Sequence, residues 1–450
     1  MKNWRTVLLI LTVCLGLLLP FEAVQAEFSA LPAGFTDRLV MGGVSSPTAV
    51  AWLPEPAPNG TLLAISQGGR VFRQNGNSAE PILTLDAICS GGEMGLLGLA
   101  VHPQFEAGQR FVYLYYTHHK NSNSCNDSAN RANRVSRFTA ASDLTLSGEQ
   151  VLIDNIAAKG SNHNGGDLQF GDDGMLYVSV GDSGQDLNTG KGGDDNGNAR
   201  RLDLLNGKIL RVTPEGAIPA DNPFVGANST SCAANGQARS VTGGVQAEKK
   251  GKQTKKAKKR KKRKQRGARR NQNPPSSATC GEIFAMGLRN PYRIAFDPDD
   301  TSGPQRLFIN DVGGGAWEEI DDAVAGADYG WNVREGPCKV GSKSDCAPDA
   351  RFTEPFFAYD RDEGCRVITG GAFVPNSSNW PDERDSQYLF ADIGCNRIFA
   401  LNVSNPGAGT TAFGRNEGAS HLAFGPDGQL YYTDLVGGEV RRIVYTPPQP

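Results

Sequence analysis

The sequence predicts an all-β fold, a six-bladed β-propeller with four-stranded antiparallel blades, on two observations. The first is composition. In a chain of 450 residues, 55 glycines and 26 prolines punctuate short runs rich in Val, Ile, Leu, Phe and Tyr, the pattern of strands joined by tight turns. The second is a weak repeat of an apolar strand, a Pro/Asp/Gly turn and a second apolar strand. It recurs at 48–66, 98–117, 167–184, 293–314, 370–394 and 421–438. Its clearest internal match sets FGDDGMLYVSVGD against FGPDGQLYYTDLVGG, and the Asp-Gly pair suits the left-handed backbone of a hairpin turn. One twisted sheet per unit cannot bury both of its faces; radial packing buries them and leaves short edges. Two stacked sandwiches are the rival, and a repeat over the whole length favours the ring. Pairing of FTDRLVMGG with GEVRRIVYT is the expected closure.

Taken in order, residues 1–26 read as a secretory signal peptide. Lys2 and Arg5 form the charged end, Val7 to Phe21 the apolar stretch, and Val24-Gln25-Ala26 the small-residue cleavage site,. Residues 27–450 then form the propeller. No later stretch is long and apolar enough to span a membrane, so the expected location is secreted, periplasmic or extracellular. Eight cysteines follow the signal, and an even count in an exported chain suggests disulfides. Sequence does not fix their connectivity; sequential pairing is the expectation, Cys89–Cys125, Cys232–Cys280, Cys338–Cys346 and Cys365–Cys395.

Net charge is −2, but it is uneven. Residues 249–270 hold 15 Lys and Arg and no acid, which leaves −2 − 15 = −17 on the remainder. Such a run repels itself, and 233–279 is expected to be a disordered basic insertion bracketed by Cys232 and Cys280. It is either a solvated loop or a site for an anionic polymer or cell surface. Nucleic-acid binding would rest on this run alone, and no stacking platform is evident in the body.

Several stretches resemble the soluble quinoprotein glucose/sorbosone (aldose sugar) dehydrogenases and their propeller relatives related to hedgehog-interacting protein. They are GGEMGLLGLAVHPQF (91–105), NHNGGDLQFGDDGMLYVSVGDSG (162–184), MGLRNPYRIAFDP (286–298), DVGGGAWEEID (311–321), ADYGWNVREG (327–336), VITGGAFVP (367–375) and YLFADIGCNRIFAL (388–401). They occur in the family's order and span most of the mature chain. The resemblance implies a six-bladed propeller, pyrroloquinoline quinone and Ca2+ as cofactors, a sugar substrate and an extracytoplasmic electron acceptor.

Oxidising a sugar hydroxyl needs a base for the proton, an acceptor for the hydride, and stabilisation of charge developing on that acceptor. His163 suits the base, since a neutral imidazole accepts a proton; the rival reading is a polar residue of a structural loop. Gly165 and Gly166 are expected to let a cofactor approach the backbone. Asp182, after the next hairpin, is placed to return beside His163 and fix its tautomer. The resemblance implies His163 as catalytic base, Asp182 as its orienting partner, and Arg289 and Asn290 as quinone contacts, Arg289 stabilising charge. It likewise implies that the Gly313 segment meets the quinone and that Gly314 and Gly315 carbonyls hold a bridging Ca2+. A second, structural Ca2+ is expected at Glu319, Gly326 and Asp328. There is no lysine after Lys343, so Arg366 and Arg397 are the candidates for the quinone carboxylates. Trp331 is expected to wall the pocket or cap a blade, and His102, His118, His119 and His421 to be structural. The alternative function is a non-catalytic propeller that binds a glycan, a protein or an anionic surface polymer.

Overall fold

A computed structural model of the chain describes residues 31–55, 60–120, 124–233, 279–415 and 418–447. The signal stretch 1–26 and the basic run 249–270 lie outside the described residues. The described chain is all-β, with only short 3-10 turns besides strands.

Four sheets are four-stranded and antiparallel. They run Leu96–Val101 to Leu146–Ala157, Leu168–Phe170 to Ile283–Met286, Pro291–Phe296 to Phe357–Asp360, and Ile368–Phe373 to Thr410–Arg415. In an eight-stranded sheet, Pro47–Leu53 to Ser78–Thr84 form one antiparallel half. Phe35–Gly42 with the strands from Ala419 to Tyr445 forms the other. The halves meet at a single parallel pair, Gly42 with Ser78. The expected closure is present, since Phe35–Gly42 runs antiparallel to Glu439–Tyr445. The Asp-Gly turns form as read: Gly174 and Gly428 have φ of 73° and 68°.

The six strands that begin the repeats contact one another in a closed cycle: Pro47–Leu53, Leu96–Val101, Leu168–Phe170, Pro291–Phe296, Ile368–Phe373, Ala419–Phe424, and back to the first. Buried polar side chains tie neighbours around this cycle. Thr48 Oγ1 donates to Leu96 O at 2.7 Å, Tyr115 OH to Asn164 O at 2.8 Å, and Ile294 N to Asp167 Oδ2 at 3.0 Å. Asn310 Nδ2 donates to Thr369 O at 2.8 Å, Thr369 Oγ1 to Ala419 O at 2.6 Å, and Ser420 Oγ to Pro47 O at 2.9 Å. Each bond adds about 1 kcal/mol net, and leaving such a buried group unpaired costs more.

Apolar cores lie between adjacent sheets. Tyr113, Tyr115 and Val135 pack with Val178, Leu210 and Ile283 of the next sheet, each fully buried large side chain contributing about 1.5–3 kcal/mol. All four expected disulfides are present: Cys89–Cys125, Cys232–Cys280, Cys338–Cys346 and Cys365–Cys395. The ends of the predicted insertion are packed, not loose. Ala233 is buried and Thr279 pairs with Ser229. No helix among the described residues is long and apolar enough to cross a membrane.

Candidate active site

His163 stands in the turn before Leu168–Phe170, with φ of 55°, a left-handed conformation uncommon outside glycine and held only when surroundings require it. The requirement is visible. Its backbone N–H donates to Glu93 Oε2 at 2.8 Å, its carbonyl accepts from Ser183 N at 3.2 Å, and its Nδ1 meets Asp182 Oδ1 at 2.7 Å. His163 is 5% exposed and Asp182 1%. A carboxylate can only accept, so Nδ1 is the donor, and in the neutral ring that leaves the lone pair on Nε2; no described residue bonds Nε2.

Asp182 is itself fixed from three directions. Its Oδ1 also accepts from Gly184 N at 2.7 Å, and its Oδ2 accepts from Trp331 Nε1 at 2.8 Å. Its carbonyl accepts from Asn196 Nδ2 at 3.2 Å and Asn198 Nδ2 at 2.9 Å. Beneath lies Lys208, 0% exposed, whose ammonium donates to the carbonyls of Asn198, Ala199 and Asn206 at 3.3, 2.6 and 2.7 Å. Asn206 Nδ2 in turn holds Gly181 O at 3.0 Å. Burial pulls the Lys208 ammonium down to about 7.

Arg289 joins the same group. Its guanidinium lies 5.3 Å from the Trp331 ring centroid, its Nη1 donates to Val312 O at 2.8 Å, and its carbonyl accepts from Asp182 N at 2.8 Å. Its Nη2 has no partner among the described residues. Asn290 is tied to both Gly165 and Glu93 by its side chain. Its Oδ1 accepts from Gly165 N at 3.1 Å and its Nδ2 donates to Glu93 Oε2 at 2.9 Å. A Cβ on Gly165 would come 2.8 Å from Gly181 N, and one on Gly166 would come 2.7 Å from the Tyr115 ring. At both positions the missing side chain makes room for neighbouring protein.

The glycine turn after Asp311 is closed on itself. Backbone N–H groups of Gly314, Gly315, Ala316 and Trp317 all donate to Glu335 Oε1, at 2.8, 2.7, 2.8 and 3.2 Å. On the other side Arg361 donates to Gly314 O at 2.8 Å and Gly313 O at 2.9 Å. It also pairs with buried Glu318, Nε to Oε1 at 2.7 Å. A Cβ on Gly313 would fall 1.6 Å from Trp317 O, so no side chain fits there. The expected bridging Ca2+ on the Gly314 and Gly315 carbonyls therefore meets a guanidinium already in position.

Glu319 lies on one face of its strand pair with Asp311, its partner in register, and Asp321, two residues on,. Burial first, then mutual repulsion, pushes Glu319 and Asp321 well up, and burial takes Asp311 to about 6. Both carboxylate oxygens of Asp321 are buried without a partner. Of the Gly326 and Asp328 carbonyls expected beside Glu319, that of Asp328 accepts from Thr353 N at 2.9 Å, and the Asp328 side chain pairs with Arg200, Nε to Oδ2 at 3.2 Å. Arg366 is exposed, and its carbonyl accepts from Arg361 Nη2 at 2.8 Å. Arg397 faces Glu363 at 3.3 Å. Arg289 and Arg361 thus lie along Val312–Gly314, donating to its carbonyls.

His102 and His118 are structural as expected. His102 Nδ1 accepts from Gln104 N at 3.0 Å, and His118 Nε2 meets Asp154 at 3.1 Å. Sequence reasoning missed Glu93, Glu335, Lys208 and Arg361. Glu93 and Glu335 carried a weak signal as lone acids in the glycine-containing stretches GGEMG and VREG. A cavity of about 700 Å³ between Tyr177, Arg211, Phe284, Phe296 and Arg306 does not include His163 in its lining. One of about 520 Å³, lined by Ser46, Gln67, Arg70 and Gly91, opens beside the Glu93 turn; Gln67 Nε2 donates to Gly92 O at 2.7 Å.

Comparison with known proteins supplies the relatives. The aldose sugar dehydrogenase YliI of Escherichia coli is 24% identical over 441 residues, 95% of this chain and 97% of YliI. The HIPL2 protein of Arabidopsis thaliana is 25% identical over 380 residues, 72% of this chain. The match takes in 46% of HIPL2, so the chain spans about half of that relative. Among solved structures, the apo soluble aldose sugar dehydrogenase of E. coli has a TM-score of 0.66 at 23% identity, covering 92% of this chain and 100% of that one. The PQQ-bound aldose sugar dehydrogenase of Streptomyces coelicolor has a TM-score of 0.60 at 22% identity, covering 92% and 99%. At such identities the likeness is one of fold. The Glucose / Sorbosone dehydrogenase family model matches residues 44–252 and 240–442, nearly the whole described body, and the chain belongs to that family.

Proposed function

We propose that the chain is an exported six-bladed propeller that oxidises an aldose hydroxyl to the lactone with pyrroloquinoline quinone. The blade count draws on the closed cycle of six first strands. The observation that carries the chemistry is the His163 Nδ1–Asp182 Oδ1 bond of 2.7 Å with Nε2 left open.

The quinone, when bound, supplies the two-electron acceptor for the sugar's hydride. The chain supplies the rest. His163 Nε2 takes the hydroxyl proton, and Asp182 stabilises the imidazolium that results. Trp331 keeps the second carboxylate oxygen occupied, so Asp182 cannot rotate away from the ring. Arg289 offers its free Nη2 to an oxygen gaining charge, with the Trp331 face beneath its guanidinium. Arg366 and Arg397 would hold carboxylates of the quinone. Reducing equivalents leave to an extracytoplasmic acceptor.

Apoprotein reconstituted with the quinone should reduce a dye in the presence of an aldose. Activity should vanish in His163→Ala and persist when 249–270 is deleted. Absence of quinone binding at micromolar levels would remove the enzyme reading. It would leave the non-catalytic binder, which the internal engagement of Asn290 favours.

A further inference from the structure

We propose that Arg361 is the resident cation of the glycine turn, and that no divalent metal binds the Gly313–Gly315 carbonyls in this chain. The idea departs from what the family resemblance implies and rests on how two peptide planes are held. In a trans peptide the N–H and C=O point opposite ways. The Gly313–Gly314 peptide donates its N–H to Glu335 at 2.8 Å and offers its oxygen to Arg361 at 2.9 Å. The Gly314–Gly315 peptide does the same, at 2.7 and 2.8 Å. Both planes are clamped between a carboxylate and a guanidinium. The Gly315 carbonyl belongs to the peptide whose N–H, on Ala316, also donates to Glu335, so it faces away from Glu335, toward the side of the guanidinium.

Calcium needs six to eight oxygen ligands. Here two of the carbonyls already bind a cation, and a third stands beside it. The guanidinium is anchored from its rear by Glu318, with which it forms a buried ion pair, and Arg366 O accepts from it at 2.8 Å. Displacing it would leave Glu318 buried without its guanidinium partner, which is strongly unfavourable. The buried carboxylates of Asp311, Glu319 and Asp321, which have no ion pair among the described residues, lie on a strand face that does not include these carbonyls.

The consequence for ligand binding, which rests on the quinone reading above, is that the quinone needs no bridging calcium. The decisive experiment is a crystal of the full chain soaked with terbium, a calcium surrogate visible by its anomalous signal. No peak within coordination distance of the Gly314 carbonyl is expected, whether or not one forms at Asp311, Glu319 and Asp321. A peak on that carbonyl overturns the proposal, and this outcome does not depend on quinone binding. In solution, quinone affinity should change less than about threefold between chelator and calcium, while Arg361→Met should weaken it about tenfold or more in chelator. A calcium dependence of about tenfold or more in the wild type overturns the proposal. Failure of the quinone to bind under either condition overturns the functional reading and leaves the terbium result to decide the site.

Discussion

Two glycine-rich turns meet at this site, and they are finished in opposite ways. The His163 turn is braced on every side except one. Glu93 takes its backbone N–H, Asp182 takes Nδ1, and Nε2 is left with its lone pair outward. The Gly313–Gly315 turn is braced on both sides, Glu335 collecting four N–H groups and Arg361 two carbonyls. One turn is built to present an atom and the other to present none. The difference fits the proposed chemistry, because His163 Nε2 has no protein partner yet is not among the unpaired polar atoms sealed in the interior, so a substrate can reach it.

Changes on the two turns should therefore separate. The largest effect is expected from His163→Gln, a loss of about 10²–10⁴ in kcat with quinone affinity kept. Equal loss of affinity would make His163 a packing residue. Glu335→Gln should act on stability, removing a charged acceptor of four N–H groups at a cost of about 2–3 kcal/mol in denaturant unfolding, with turnover of the folded fraction unchanged. A loss of turnover without a loss of stability would erase the contrast between the turns. Asp182→Asn should lower kcat about 10- to 100-fold, the range for a partner that orients a reacting group.

Lys208 gives the smallest effect and a signed pH dependence. Its ammonium is pulled by burial to about 7 from an ordinary value of 10.5. Between those values the unfolded chain binds the extra proton, so this residue makes stability rise with pH, by at most about 1.4 kcal/mol per unit. Wild type and Lys208→Met, melted at pH 7 and pH 9, should differ by an amount that grows with pH in favour of the wild type. A difference that is flat or shrinks would show that the amine keeps its proton against the three carbonyls.

Much of this architecture could be read from the chain because its cause is local. Alternating apolar residues and Asp-Gly turns mark hairpins wherever they fall, so the start of every repeat, the closing strand pair and the sequential disulfides were expected and are present. His163, Asp182 and Arg289 were identified through the resemblance, and the structure brings them together around Trp331. What was not legible depends on residues distant in sequence. Glu93 reaches Asn290 across 197 residues, and Trp331 reaches Asp182 across 149. Arg361 meets the glycine turn nearly fifty residues away, with no local pattern to announce it. Gly165 and Gly166 were noticed for their lack of bulk, but the protein atoms packed against them were not legible, because sequence does not say what lies against a missing side chain.

The central claim is that the open nitrogen of His163 removes the sugar's proton. The most direct measurement is single-turnover reduction of bound quinone by an aldose, followed by absorbance in wild type and His163→Gln at equal quinone occupancy. The account predicts reduction at least about 100-fold slower in the variant. A variant that reduces its quinone at the wild-type rate, or a fully loaded wild type that never does, would contradict it.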